Sequence, residues 1–244
     1  MTAPTRKLEA YRYADVAALA SVWSELAPPE RIEIAAHQKL QQIWLPSSDP
    51  VQVRRVEIAL EAGAIANFFA LNTATTYGRI EIDVSLADGA HFGLDAANIS
   101  GGNATLEIVT IVRHIGVAAT SRQTVRSVLG GKAVGSYMGK VAVARGAQQT
   151  DSVQLIKAML LDRGATANAK PELEIYADDV KCAHGATVGE LDREQLFYAA
   201  ARGLDPAAAR ALLLEGFVAG LWSDIEGDDQ GIVELARAAL KAIA

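Results

Sequence analysis

The sequence predicts a mainly β chain, wound as a parallel β-solenoid between a short N-terminal helical segment and a C-terminal helical domain. Three observations predict it: alternation with a period of two from Val51 onward, a strand and corner that recur at a constant offset, and a switch to helix-like runs after Gly189. Val56, Ile58 and Leu60 alternate with Glu57 and Glu61, and Ile80, Ile82, Val84 and Leu86 alternate with Glu81, Asp83 and Ser85. Each segment is therefore a strand with one buried face. Shifted by 26 positions, Val56-Glu57-Ile58 falls on Ile82-Asp83-Val84, Leu60 on Leu86, Gly63-Ala64 on Gly89-Ala90 and Asn72 on Asn98. The corner, an apolar residue three before Gly-Ala, recurs at Val143 to Gly146-Ala147 and at Cys182 to Gly185-Ala186, with a fainter echo at Ile115-Gly116. Short strands turning at glycine, where positive φ costs little, stack coil upon coil. A two-sheet sandwich would also show short strands and glycine turns, but a period of roughly 25 to 30 residues without a helix-length pattern fits the solenoid better.

The elements follow in order. Residues 1–50 read as a helical and loop segment: Asp15 caps an apolar run from Val16 to Leu26, Pro28-Pro29 stops it, and Ser47-Ser48-Asp49-Pro50 is the next break. Residues 51–189 form the β-helix core. Residues 190–244 form the helical domain, in which Asp192 heads a helix through Gln195–Ala201 that ends at Gly203. Asp205-Pro206 opens a second helix with the stripe Ala211, Leu214, Phe217, Val218 and Leu221, and a third covers Gly231–Ala244.

Composition bounds the function. The net charge of −6 and the absence of a Lys/Arg run exclude a nucleic-acid footprint, which needs a basic stripe to neutralise phosphates. Charged residues interrupt every apolar stretch well short of a membrane span, and Met1–Arg12 lacks the apolar core of a secretory signal, so a cytoplasmic protein without membrane contact is expected. Half of the residues are hydrophobic but only 6% are aromatic, which suits a layered core of Ala, Val, Ile and Leu. Cys182 is the only cysteine, so no intramolecular disulfide and no all-cysteine metal site can form within one copy.

Several motifs lie close together from about Thr105 to Trp222: Arg113-His114, Thr120-Ser121-Arg122, Val128-Leu129-Gly130-Gly131-Lys132, Gly139-Lys140-Val141, Ala147-Gln148-Gln149-Thr150-Asp151 and Gln154. The densest run is Lys170–Gly189, twenty residues through Tyr176-Ala177-Asp178-Asp179-Val180-Lys181-Cys182-Ala183-His184-Gly185, continued by Leu196-Phe197-Tyr198 and Arg202-Gly203. These residues resemble the SufB/SufD family of iron-sulfur cluster assembly scaffolds, in the SufD form of the Cys-x-His-Gly segment; Pro4-Thr5-Arg6 through Tyr13 is similar to the family's amino-terminal motif. The chain departs from the family at Ile156 and Ala158, where asparagines are common.

The resemblance implies a right-handed parallel β-helix. It also implies a non-catalytic subunit that meets SufB through a β-helix end and the ATPase SufC through its C-terminal helices, in the region of Leu196, Phe197, Tyr198 and Phe217. A transient iron-sulfur cluster would be shared with SufB, with His184 as its ligand on this side and Cys182 as the neighbouring thiol, and the isolated chain would hold no cofactor. Homodimers are a further expectation for the isolated chain.

The residues themselves leave plainer alternatives. His184 suits a surface corner and Cys182 a small buried hydrophobe. By the repeat, Cys182 takes the position of Leu60, Leu86 and Val143 and faces inward, while His184 takes that of Ala62, Asp88 and Arg145 and faces out. A Cys-His catalytic dyad lacks a third group, and Glu172, Glu174, Asp178 and Asp179 read as a solvated face. Gly130-Gly131-Lys132 lacks phosphate-loop spacing, so ATP hydrolysis is not expected of this chain. A carbohydrate-active β-helix protein and a self-associating interaction module are the functional alternatives.

Overall fold

The structure, a computed structural model, describes residues 3–243. Among the described residues twelve strands wind through two parallel sheets, alternating between them. One sheet has the order β1 (Glu30–Ile34), β3 (Val51–Leu60), β5 (Tyr77–Leu86), β7 (Thr105–His114), β9 (Val134–Val143), β11 (Thr166–Ile175). The other runs from β2 (Lys39–Trp44) through β4 (Ile65–Asn72), β6 (His91–Ser100), β8 (Thr120–Leu129) and β10 (Asp151–Leu160) to β12 (Lys181–Glu190). This is a parallel β-solenoid of about six coils. The solenoid begins earlier than Val51, because β1 and β2 already pair in register with β3 and β4. Both are short edge strands with largely exposed residues, so the period-two signal is too weak to read there.

The registers test the repeat directly. Val56 pairs with Ile82, Leu60 with Leu86 and Asn72 with Asn98, as the overlay predicts. The offset of 26 holds for the first coils only. In the first sheet it grows to 28 at Tyr77↔Thr105, 29 at Thr105↔Val134 and 32 at Val134↔Thr166. Strand length stays at ten residues, so the added residues lie in the corners.

The corner that leads into the second sheet has one left-handed residue in each of the first five coils: His37 (φ 59°), Gly63 (66°), Gly89 (62°), Ala118 (56°) and Gln149 (60°). Each donates its N–H to the next coil, for example Gly63 to Asp88 and Gln149 to Asp179, and this ladder holds non-glycine residues in a conformation that glycine adopts freely. The left-handed residue of the fifth corner is therefore Gln149 and not Gly146. Gly185 is not a corner at all but lies inside β12.

Inward-facing side chains stack in columns. Ile58, Val84, Val112 and Val141 form one in the first sheet, and Trp44, Phe68 and Phe92 continue the core across the coil, with ring centroids 4.9 and 5.8 Å apart. Such layers bury apolar surface at every turn of the chain.

Both outer faces are strapped. At the N-terminus, α1 (Val16–Val22) is capped by Asp15, which accepts from the N–H groups of Ala17 and Ala18. Leu19, Ala14, Tyr11 and Trp23 of this region cover Tyr77, Val51 and Val53. Arg79 lies buried beneath, pairing with Glu107 at 3.1 Å and donating to the Ala10 carbonyl at 2.8 Å, while Tyr77 donates to Glu107. A buried guanidinium requires this full set of partners.

Three helices follow the coil: α2 (Arg193–Ala201), α3 (Pro206–Ala219) and α4 (Ile232–Ile243). Asp192 and Asp205 cap the first two as the sequence indicates, with proline in the first turn of α3 and Gly203 left-handed after α2. Ala244, expected in the third helix, lies outside the described residues, as do Met1 and Thr2. Leu214, Val218, Leu221, Trp222, Ile232, Ala236 and Leu240 pack on Phe69, Leu71, Ala97, Ile99 and Val128, the outer face of the second sheet.

Candidate functional site

Strand β12 ends the second sheet, so one edge and the inward face of its coil are open. Cys182 and His184 lie on it two residues apart, hence on one face. Register identifies that face: Cys182 pairs with Ser152 and His184 with Gln154, whose side chains are fully buried inside the coil below. This keeps the expected inward face of Cys182 and corrects its column and the outward placement of His184. Cys182 does not continue the column of Leu60, Leu86 and Val143; residue 175 does, since Val143 pairs with Ile175. His184 does not take the outward position of Ala62, Asp88 and Arg145. The physical reason is that the corners lengthen along the coil and Gly185-Ala186 lies inside β12.

The true columns change character along the coil. One runs Leu40, Ala66, Phe92, Ser121, Ser152, Cys182; the next runs Gln42, Phe68, Leu94, Gln123, Gln154, His184. Beneath the last coil the interior turns polar. His114 Nε2 lies 2.9 Å from Ser121 Oγ, which lies 2.9 Å from Ser152 Oγ. Thr110 donates to Gln123 Oε1 at 2.8 Å and Tyr137 donates to the same oxygen at 2.9 Å; Gln154 Nε2 in turn donates to the Tyr137 hydroxyl at 3.1 Å. The phenol fits because Gly139 has no side chain: a Cβ there would stand 2.1 Å from the hydroxyl. Burial pushes the Tyr137 hydroxyl pKa up and lowers that of His114 to about 4, the latter opposed by the Ala119 carbonyl, so both groups are neutral near pH 7.

At the open end, His184 is exposed and Cys182 is partly buried against the core. Burial, then the Asp151 charge, raises the Cys182 thiol pKa, against a hydrogen bond from the Ser152 backbone. A thiol and an imidazole are donors suited to iron, and metal binding would remove the thiol proton. Among the described residues no group of three or more His, Cys, Asp or Glu could hold a metal ion. The pair offers two donors and no complete site.

The edges differ in kind. Strands β1 and β2 are short and carry Glu30, Arg31, Glu33 and Lys39, and β11 carries Lys170, Pro171, Glu172 and Glu174, all features that discourage strand addition. Strand β12 is ten residues long and charged only at Lys181 and Glu190. Away from the coil, Phe197 (76% exposed), Tyr198, Leu204 and Leu212 line an apolar groove of about 900 Å³ between α2 and α3. Leu196 is half-buried, and Phe217 packs toward the second sheet, its ring under Arg126 at 5.7 Å. The four aromatic and aliphatic candidates therefore do not form one patch.

Sequence reasoning missed the polar columns. The run Thr120-Ser121-Arg122-Gln123-Thr124 is polar throughout, so only the burial of Ser121 and Gln123 in the strand reveals an inward polar face.

Fold and site together define a class: a parallel β-solenoid with both sheet faces strapped and one coil end open, bearing two metal-donor side chains there. Residues 31–217 match the family described as SUF system FeS cluster assembly, SufBD core domain, and the chain belongs to that family. It is similar to the iron-sulfur cluster assembly protein SufD of Escherichia coli, 30% identical over 212 residues, which cover 84% of this chain and 49% of that protein. It is also similar to SufD of Bacillus subtilis, 27% identical over 172 residues covering 70% of this chain and 37% of that one. Over 81 residues, 33% of this chain and 17% of the relative, it is 51% identical to the chloroplastic protein ABCI7 of Arabidopsis thaliana. The chain thus spans about half the length, or less, of these curated relatives. Among the described residues no helix is long and apolar enough to cross a membrane.

Proposed function

We propose that this chain is a SufD-like, non-catalytic scaffold subunit that supports iron-sulfur cluster assembly with a SufB-like subunit and a SufC-like ATPase. The observation that carries the reading is the shared inward face of Cys182 and His184 on the open strand β12, in a chain of the SufBD family. His184 is the ligand toward the cluster, which is cargo, and Cys182 is the adjacent thiol. Because two donors cannot complete a cluster site, the SufB-like partner supplies the others. The long, nearly uncharged edge of β12 supports docking of that partner at this end of the coil, by main-chain pairing. The apolar groove at Phe197 and Tyr198 supports a SufC-like contact at α2 and α3. ATP hydrolysis belongs to that partner.

Anaerobic co-expression with the two partners, followed by affinity purification and absorption spectra, tests the reading. Expected are a ternary complex with iron-sulfur absorption and a large loss of that absorption in His184→Ala, with the complex still assembled. Failure to co-purify, or unchanged absorption in His184→Ala, overturns it. A chain that only dimerises with itself would instead favour the self-associating module.

A further inference from the structure

Gln154 is fully buried and its Nε2 is committed downward: it donates to the Tyr137 hydroxyl at 3.1 Å and reaches Gln123 Oε1 at 3.5 Å, on the coil beneath. Tyr137 donates to Gln123 Oε1 and accepts from Gln154 Nε2, so the nitrogen is the arm of Gln154 that faces the phenol. The other arm, Oε1, is buried and has no hydrogen-bond partner among the described residues. A buried acceptor without a donor is costly, by about 1–3 kcal/mol, and is retained where something else supplies the donor. The residue next to Gln154 in register, on the same face of the open coil, is His184. No hydrogen bond joins them in the exposed coil, and β12 has no strand beyond it to press its side chains inward.

We propose that Gln154 is the positioning residue for His184: its Oε1 accepts the imidazole N–H on the interior side, so that the other ring nitrogen is presented at the open end. A metal-ligating histidine needs such an acceptor, because the hydrogen bond at one nitrogen sets which nitrogen carries the free lone pair. The chain of Thr110, Gln123, Tyr137 and Gln154 then acts as a rigid post under the ligand, and Gly139 makes room for it. This inference deepens the proposed function and rests on its assignment of His184 as a ligand.

The test reads the imidazole itself. In the full chain labelled with nitrogen-15 histidine and assembled with its SufB-like partner, which covers the open coil, the ring nitrogen shifts of His184, identified with His184→Asn, report its tautomer. One tautomer is expected to predominate in the unchanged protein, to give way to the mixture of free imidazole in Gln154→Leu, and to return in Gln154→Glu, whose carboxylate also accepts. Affinity for Co²⁺, a spectroscopic probe for iron, is expected to fall about 10-fold or more in Gln154→Leu. If the unchanged protein already shows the free-imidazole mixture, Gln154 does not hold the ring and the proposal is overturned; this arm needs no variant of Gln154 to fold. A tautomer that is the same in Gln154→Leu and the unchanged protein overturns it equally. Intact cluster formation in His184→Ala would instead sink the functional reading while leaving the tautomer result standing.

Discussion

In the column Ala66, Phe92, Ser121, Ser152, Cys182 the backbone geometry repeats while the side chains pass from hydrocarbon to hydroxyl to thiol. The neighbouring column Phe68, Leu94, Gln123, Gln154, His184 makes the same change at the same coil. In the first half, stability comes from stacked rings and aliphatic layers; in the second, hydroxyls and amides bond between strands while Gln123 Nε2 and Gln154 Oε1 stay unpartnered among the described residues. Fixed polar groups are poor at adding stability and good at fixing orientation, since their hydrogen bonds contribute modestly when made and cost much when missing. In these two columns the consecutive polar layers lie directly beneath Cys182 and His184.

The largest test of the contrast is in the apolar half. Phe68→Ala removes a fully buried ring held between Trp44 and Phe92, and should cost about 3–5 kcal/mol in urea denaturation. A cost under about 1 kcal/mol would mean that the rings do not carry the first coils.

His114 gives the next effect. Burial lowers its pKa to about 4, so the unfolded chain takes up the proton first as pH falls. Its contribution to stability is complete above about pH 6.5 and is lost as pH drops toward 4, an amount on the order of 3 kcal/mol. The loss of stability between pH 7.5 and 4.5 should therefore be smaller in His114→Asn than in the unchanged protein. Identical losses would show that the imidazole is not held neutral.

Gln123→Leu sharpens the comparison further. It strips Thr110 and Tyr137 of their common acceptor and should destabilise by about 1–3 kcal/mol, although it makes the interior more apolar. Greater stability in this variant would mean that the polar half is merely tolerated. The smallest change is expected at Cys182: Cys182→Ser should alter stability by no more than about 0.5 kcal/mol. Its thiol, with a pKa raised by burial and by Asp151, should react slowly with iodoacetamide at neutral pH and faster as pH rises. Rapid neutral-pH alkylation would contradict that setting.

Much of the fold was legible because a strand with one buried face writes its period into the sequence, and because the early coils keep one length. Asp15, Asp192 and Asp205 announced their helices through capping chemistry alone. Strands β1 and β2 were not legible, since short exposed edges carry little alternation. The site was legible as a pair of residues and not as a geometry. Corners that lengthen from coil to coil shift every later residue, so the faces of Cys182 and His184 had to come from pairing. The post beneath His184 was hidden for a related reason: Thr110, Gln123, Tyr137 and Gln154 lie far apart in sequence and meet only through stacking.

The N-terminal strap has a consequence for how the molecule comes apart. In a stack where each coil touches only its neighbours, coils can peel away singly from an open end. The N-terminal segment instead accepts from Arg79 at the Ala10 carbonyl, covers Tyr77, and reaches Lys170 on β11 through Glu9. The helices α3 and α4 likewise lie over β4, β6 and β8. The helical straps therefore tie successive coils to one another, which turns stepwise fraying toward a more concerted transition.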